Sequence, residues 1–164
     1  MVAGRISVPR ECEVEMERQS DHVHLRWLRE AGLDDFVNKR ILDLGCGSGA
    51  VCAAALSAGA VQAVGVDVVE PTSAKAAAWD FLRLDLDSRY WHDEVGAGSF
   101  DLVLAFDIIE HLSSPYTFLE NCHQLLSETG ELVVTTPNAQ SWERYLRPAT
   151  WSGATDPQHK TLFT

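Results

Sequence analysis

A short stretch in the first half of the chain, ILDLGCGSGA at residues 41–50, limits the possible folds more than any other feature. Three glycines fall within five positions, directly after an apolar run. The run 40–45 predicts a buried strand, and the small residues of 48–58 predict a helix that stops at Gly59. A glycine-rich connection leaves the backbone bare, as a tight turn or a closely bound ligand requires. The stretch therefore predicts a strand, a turn and a helix of an α/β fold.

The alternation of strands and helices continues along the chain. Further strands are predicted at 60–68, 80–86, 100–106 and 131–137, further helices at 71–78 and 113–130, and an amphipathic helix at 11–30. The strands are nearly continuous apolar runs, which is typical of a parallel sheet covered on both faces. The predicted fold is therefore α/β, with a Rossmann-like, doubly wound, mostly parallel sheet. Ligands of such sheets bind outside the carboxyl ends of the strands, where the strand order reverses.

Composition predicts one compact domain that binds neither nucleic acid nor membranes. The 164 residues suit a single domain, with a helical segment at 1–39, a cofactor-binding core at 40–137 and a partial acceptor-side segment at 138–164. The net charge of −11 repels phosphate backbones and anionic lipids. The N-terminus lacks the apolar core of a signal peptide, and the Ala/Gly-rich stretch 50–66 is interpreted as a buried helix and strand.

The cysteine pattern predicts a reducing, cytoplasmic environment. The four cysteines are Cys12, Cys46, Cys52 and Cys122. None of them forms a CxxC pair, and two lie inside apolar segments. They are therefore expected to be reduced thiols, since neither a disulfide framework nor a zinc site has this spacing.

Two cofactors are compatible with the glycine stretch. Gly45, Gly47 and Ala50 satisfy the dinucleotide pattern GxGxxA, in which a helix N-terminus holds a pyrophosphate. Asp43 lies two residues before the first glycine, where a carboxylate is badly placed for a pyrophosphate and well placed for a positive charge. Asp67 ends the next strand and can accept hydrogen bonds from both hydroxyls of a ribose. S-adenosylmethionine, which carries an ammonium and a sulfonium and no phosphate, fits this pattern better than a nicotinamide dinucleotide.

Four motifs follow one another between residues 40 and 137. They are DLGCGSG (43–49), VGVD (64–67), LDL (84–86) and FDLVLAFDIIEHL (100–112). In this order they resemble the motifs of class I S-adenosylmethionine-dependent methyltransferases. The family's sheet has seven strands, whereas five are predicted here. The resemblance therefore implies an open sheet edge, which a homodimer or a partner chain would complete.

The resemblance also implies a role for individual residues. The loop at Gly45 and Gly47 would lie against the methionyl part of the cofactor, and Asp67 would bind the ribose hydroxyls. Asp85 would bind the adenine amino group, with the backbone of Leu86 at the ring. The carbonyl of Phe106 would lie near the methionine amine. The full set expected to bind S-adenosyl-L-methionine is Asp43, Gly45, Cys46, Gly47, Asp67, Val68, Asp85, Leu86 and Phe106.

An acidic and histidine cluster follows the fourth strand. Asp107, Glu110 and His111 have the spacing i, i+3, i+4, which places them on one side of a helical turn. With His159, they resemble the cluster of the ubiquinone-biosynthesis O-methyltransferases and the RNA-terminal 2′-O-methyltransferases. The resemblance implies a divalent metal such as Mg²⁺ beside an acceptor hydroxyl, although Asp107 stands where those groups carry a longer glutamate. Three interpretations stay open: a metal site, His111 as a catalytic base without a metal, and a structural cluster.

The expected function is transfer of a methyl group to a small-molecule acceptor, with O-methylation preferred. The alternatives are a non-catalytic S-adenosylmethionine-binding or scaffold domain and an NAD(P)-dependent oxidoreductase. Trp142, Tyr145 and Trp151 either line an acceptor pocket or pack against the sheet edge. The acceptor itself is not predicted by any motif.

Overall fold

A computed structural model describes residues 23–164, apart from 73, 75–77, 97–98, 152 and 154–155. The chain divides into two compact units between Asp35 and Phe36. In the first unit, residues 23–30 form helix α1, and the rest of the helix predicted at 11–30 lies outside the described residues, as does Cys12. That the whole chain is a single domain stays a prediction.

The second unit is built on a sheet of five parallel strands. The strands are β1 (Arg40–Leu44), β2 (Gln62–Asp67), β3 (Asp80–Arg83), β4 (Phe100–Phe106) and β5 (Leu126–Thr135), in the order β3-β2-β1-β4-β5. The helices are α2 (Ala50–Ser57), α3 (Trp91–Val95), α4 (Pro115–Leu125) and α5 (Trp142–Leu146), with a 3-10 helix at Ile109–His111. The predicted α/β class with a Rossmann-like parallel sheet is thereby confirmed.

The central strands are buried because apolar residues occupy both of their faces. Leu42 and Leu44 of β1 and Val103 and Ala105 of β4 are fully excluded from solvent and belong to one hydrophobic core. Strand order reverses between β1 and β4, where Leu44 pairs with Ala105. The carboxyl ends of these two strands therefore lie side by side, at the position where α/β sheets bind ligands.

The helix predicted at 113–130 is too long. Helix α4 ends at Leu125, and β5 starts at Leu126 instead of at residue 131. Ser127, Thr129 and Gly130 are poor helix formers, and a Cβ on Gly130 would lie 2.6 Å from the carbonyl oxygen of Phe100. These residues are accommodated by a shift in the pairing register of β4 and β5. Phe100 pairs with Leu126, whereas Leu102, two residues later, pairs with Glu131.

Other boundaries differ less. Strand β3 ends at Arg83, three residues before the predicted end, and helix α3 was not predicted. The helix predicted at 71–78 lies partly outside the described residues. None of the described helices is long and apolar enough to cross a membrane. Cys46, Cys52 and Cys122 are buried, and none of these three is in a disulfide.

The last residues of the chain return to the sheet. The amide of Ala139, which lies between β5 and α5, donates to the carbonyl of Phe163 (2.8 Å), and Asn138 and Phe163 form a parallel bridge. Phe163 packs against the hydrophobic core. This contact brings the segment 156–163 back beside the carboxyl end of β5, close to the residues that follow β4.

Candidate functional site

The glycine turn after β1 is fixed to the end of β2. The amides of Gly45 and Cys46 both donate to the carbonyl of Val66, at 2.8 and 3.0 Å. The carboxylate of Asp67 holds the turn further along. Its Oδ2 accepts from the Gly47 amide (3.0 Å) and its Oδ1 accepts from the Val69 amide (3.1 Å). Asp67, the residue predicted to bind the ribose, is thus oriented by hydrogen bonds from two backbone amides. Lone pairs remain on both of its carboxylate oxygens.

The turn approaches the end of β4 too closely for a side chain. Gly45 has a φ of 79°, and a Cβ at this position would overlap the side chain of Ile108. Ile108 lies two residues after Phe106, the last residue of β4. The glycine is therefore required at the point where β1 and β4 meet.

A buried carboxylate lies beneath this turn. Asp43 is 3% exposed, and its Oδ2 lies 3.9 Å from the Sγ of Cys52. Cys46 is also buried, and a Cβ on Gly65 would lie 2.8 Å from its Sγ. The turn therefore rests on a packed layer that contains one carboxylate.

The remaining predicted cofactor residues lie at the ends of the neighbouring strands. Val68 follows β2 and is exposed, and Phe106 is the buried last residue of β4. Asp85 and Leu86 follow β3, with Asp85 exposed and Leu86 buried. Because β3, β2, β1 and β4 are adjacent, the strand order brings the whole predicted set to one edge of the sheet. Its contact with a cofactor stays a prediction.

The acidic and histidine cluster comes together only in part. One ligand atom each of Glu110, His111 and His159 lies within 4.8 Å of the others. The His159 Nε2 lies 3.9 Å from the Glu110 Oε1, and the two imidazole rings meet edge to face at 4.7 Å between centroids. The carbonyl of Glu110 accepts from the amides of Lys160 and Thr161, at 2.7 and 3.1 Å. These backbone bonds bring His159 to the cluster from far along the chain.

Asp107 does not join these three residues in the part of the chain that the structure describes. It has a φ of 50°, a left-handed conformation that aspartate tolerates better than most residues. Its amide donates to the carbonyl and the hydroxyl of Thr135, and its Oδ1 accepts from that hydroxyl at 3.1 Å. Thr135 therefore holds the Asp107 carboxylate at the end of β5.

Glu110 is the most unusual ionisable group of the cluster. It is 1% exposed, and neither of its carboxylate oxygens forms a hydrogen bond of regular geometry with the described residues, although the Thr136 hydroxyl lies near them. Burial raises the pKa of this carboxyl above its usual range, and the negative charge of Asp107 adds to the effect, whereas its own backbone, the Thr136 hydroxyl and the His111 ring oppose it. A buried carboxylate beside two imidazoles suits a bound cation or a proton.

Several residues at the site were not predicted. Ile108 was predicted only as part of a motif. Trp79, whose ring a Cβ on Gly49 would overlap, was not predicted to lie at the site, and neither were Thr135 and Lys160. Lys160 could have been predicted because it directly follows His159 in the sequence. Long-range packing brings the other residues to the site.

Together, the fold and the site define an α/β domain with a glycine turn and an ordered carboxylate at its topological switch point. The sequence matches the family described as "Methyltransferase domain" over residues 16–164. The chain belongs to this family, the S-adenosylmethionine-dependent methyltransferases of class I.

Individual relatives agree with the family. The chain is 34% identical over 116 residues to a ubiquinone biosynthesis O-methyltransferase of Maricaulis maris, which covers 68% of this chain and 45% of that protein. An S-adenosylmethionine dependent methyltransferase from Mesorhizobium loti has a TM-score of 0.60 and 29% identity, covering 73% of this chain and 53% of that one. A SAM dependent methyltransferase from Archaeoglobus fulgidus has a similar fold, with a TM-score of 0.70, 22% identity and coverage of 90% and 64%. The chain thus spans about half the length of the curated relatives it matches.

Proposed function

We propose that this chain binds S-adenosylmethionine and transfers its methyl group to the hydroxyl of a small-molecule acceptor. The observation that carries the proposal is the carboxylate of Asp67, which is held by the Gly47 and Val69 amides beside the bare turn at Gly45. A ribose can bind this carboxylate while the rest of the cofactor lies along the turn. The O-methyltransferase relatives support a hydroxyl acceptor, and the charge and cysteine pattern support a cytoplasmic location.

The reaction would be an in-line displacement at the methyl carbon. The acceptor oxygen forms a bond to this carbon as the bond to sulfur breaks, and the electron pair of that bond stays on sulfur. The products are the methyl ether and S-adenosylhomocysteine. The protein's main contribution is to align the two reactants and exclude water, which lowers the barrier by several kcal/mol.

The proton of the hydroxyl must also be removed, and His111 is our candidate base. Its ring is half-buried and lies against the His159 ring, so it is within the cluster that follows β4. A neutral imidazole can accept the proton of a hydroxyl through its unprotonated ring nitrogen.

A metal ion is a second candidate for the same task. The buried carboxylate of Glu110 favours a bound metal ion, because a nitrogen of each of two imidazoles lies within 4.8 Å of a carboxylate oxygen. Glu110, His111 and His159 would hold the ion, which would lower the pKa of an acceptor hydroxyl. With Asp107 bonded to Thr135, one carboxylate and two imidazoles remain. This donor set suits Zn²⁺, Mn²⁺ or Fe²⁺ better than Mg²⁺. Thermal melting of the wild type and a Glu110→Gln variant with each ion tests this candidate.

The first test of the function is a calorimetric titration with S-adenosylhomocysteine beside NADH. We expect binding of S-adenosylhomocysteine at micromolar concentration, an affinity of about −8 kcal/mol, and no heat from NADH. Binding of NADH instead would mean that the glycine turn holds a pyrophosphate. Binding of S-adenosylhomocysteine without methyl transfer from S-adenosylmethionine to any hydroxyl acceptor would favour a non-catalytic binding domain.

The free edge of β5 supports a partner proposal. Its residues are half-buried or exposed, and among the described strands only β4 pairs with it. An uncovered ten-residue strand of this kind favours pairing with another chain. We infer a homodimer or a partner chain at this edge, and a monodisperse monomer in light scattering, with a cooperative melt, would contradict it.

A further inference from the structure

Three segments of the chain meet at the carboxylate of Asp87. Its Oδ1 accepts from the amide of Ser113 (2.8 Å), and its Oδ2 accepts from the Ser113 hydroxyl (2.7 Å) and from the Lys160 Nζ (2.9 Å). The Lys160 Nζ also donates to the Ser113 hydroxyl at 2.8 Å. The bond from Lys160 lowers the pKa of Asp87 below its usual range, so the carboxylate is ionised at neutral pH. Asp87, Ser113 and Lys160 therefore form a closed triangle.

Each member of the triangle belongs to a different part of the candidate site. Asp87 lies in the turn after β3, where its amide donates to the Oδ1 of Asp85 at 2.9 Å. Ser113 follows the 3-10 helix, two residues after His111. Lys160 follows His159 directly. The triangle thus joins the turn predicted to bind adenine to both histidines of the cluster.

The triangle is the side-chain attachment that links the segment 156–163 to the turn after β3. Backbone bonds hold the same segment elsewhere, from the amides of Lys160 and Thr161 to the Glu110 carbonyl and from the Ala139 amide to the Phe163 carbonyl. The side chains of Asp87 and Lys160 are 26% and 49% exposed, so their pairing is partly screened by water. The backbone bonds therefore locate the segment, and the triangle adds a weaker restraint that can open and close.

We propose that Asp87, Ser113 and Lys160 are positioning residues that tie the His159 segment to the cofactor turn, so that a bound cofactor restrains His159. The proposal rests on the proposed function, since that function requires a ligand at Asp85 and Leu86. A ligand that orders this turn also fixes the Asp87 carboxylate. Less conformational freedom is then lost when Lys160 pairs with it, so the two events reinforce each other.

Hydrogen–deuterium exchange of the whole chain, with and without S-adenosylhomocysteine, tests the coupling. In the wild type, the ligand is expected to slow exchange at 84–88 and also at 157–163. In Asp87→Asn and Lys160→Met, the ligand is expected to slow exchange at 84–88 only. Without ligand, these variants are expected to exchange about 1.4- to 5-fold faster than the wild type at 157–163, the range for a partly exposed ion pair. Lys160→Arg should restore the wild-type pattern.

Glu94→Gln is the matched control, because Glu94 is an exposed carboxylate on helix α3. It should behave as the wild type, and calorimetry on every variant checks that the ligand binds. Bound ligand that leaves 157–163 unprotected in the wild type, or protects it equally in Lys160→Met, overturns the coupling. Failure of the wild type to bind would overturn the proposed function instead. In that case, exchange measured without ligand still tests the positioning role of the triangle. Exchange at 157–163 that is the same in Lys160→Met as in the wild type would overturn that role.

Discussion

Replacement of Asp67 by alanine is expected to weaken binding of S-adenosylhomocysteine about 10- to 100-fold, which corresponds to the loss of charge-assisted hydrogen bonds to a ribose. The variant loses a second contribution, because the same carboxylate accepts from the Gly47 and Val69 amides that shape the turn. Calorimetric titration of the folded variant measures the change. The effect should appear mainly as a loss of binding enthalpy.

Two further variants separate these contributions. Asp67→Asn keeps one oxygen acceptor but no charge, so its affinity should lie between that of the wild type and that of the alanine variant. Asp80→Ala removes an exposed carboxylate at the opposite end of the neighbouring strand and should bind as the wild type does. An unchanged affinity in folded Asp67→Ala would mean that the ribose binds elsewhere.

A Glu110→Gln variant is expected to be more stable than the metal-free wild type at pH 8 and to lose all stabilisation by metal ions. The pKa of Glu110 is raised by burial, so ionisation of this carboxyl disfavours the folded state. The free energy of unfolding of the wild type should therefore fall as the pH rises from the ordinary value of 4.5 through the raised pKa. The variant should lack this fall. We expect a difference of about 1–3 kcal/mol at pH 8, because burying the charged carboxylate costs more than burying the uncharged amide that replaces it.

Melting with a chelator across this pH range measures the difference, which should vanish below pH 4.5. Addition of Zn²⁺ or Mn²⁺ at pH 8 should raise the melting temperature of the wild type but not that of Glu110→Gln. Glu94→Gln, the exposed control, should behave as the wild type does in both measurements. A wild type that ignores every ion would remove the metal candidate and leave His111 as the remaining base.

The sequence predicted the fold well because the signals of its core are local. Continuous apolar runs identified β1 and β4, and the glycine turn fixed the point where the strand ends meet. The boundary between α4 and β5 was wrong because Pro115 and Gly130 mark a plausible helix. What ends the helix early is the pairing of Leu126 with Phe100 and the close approach of Gly130 to the Phe100 carbonyl, which no local pattern contains.

The candidate site was predictable in its residues and less so in its contacts. The i, i+3, i+4 spacing indicated a cluster, and Glu110 and His111 lie in it with His159. Asp107 shares the spacing, but its left-handed backbone and its bonds to Thr135 direct it to the end of β5. Likewise, the partners of Asp87 lie 26 and 73 positions away, so only the folded chain shows that they meet.

The strand order has a consequence for the time at which the site forms during synthesis. Strand β1 pairs with β2 and β4, yet β4 is made after β3, so one edge of β1 stays unpaired while residues 45–99 leave the ribosome. Insertion of β4 at this edge brings Ile108 onto Gly45 and completes the half of the candidate site that contains the glycine turn. The half that carries His159 follows more than fifty residues later. A nascent chain therefore forms the proposed cofactor site before the proposed acceptor site.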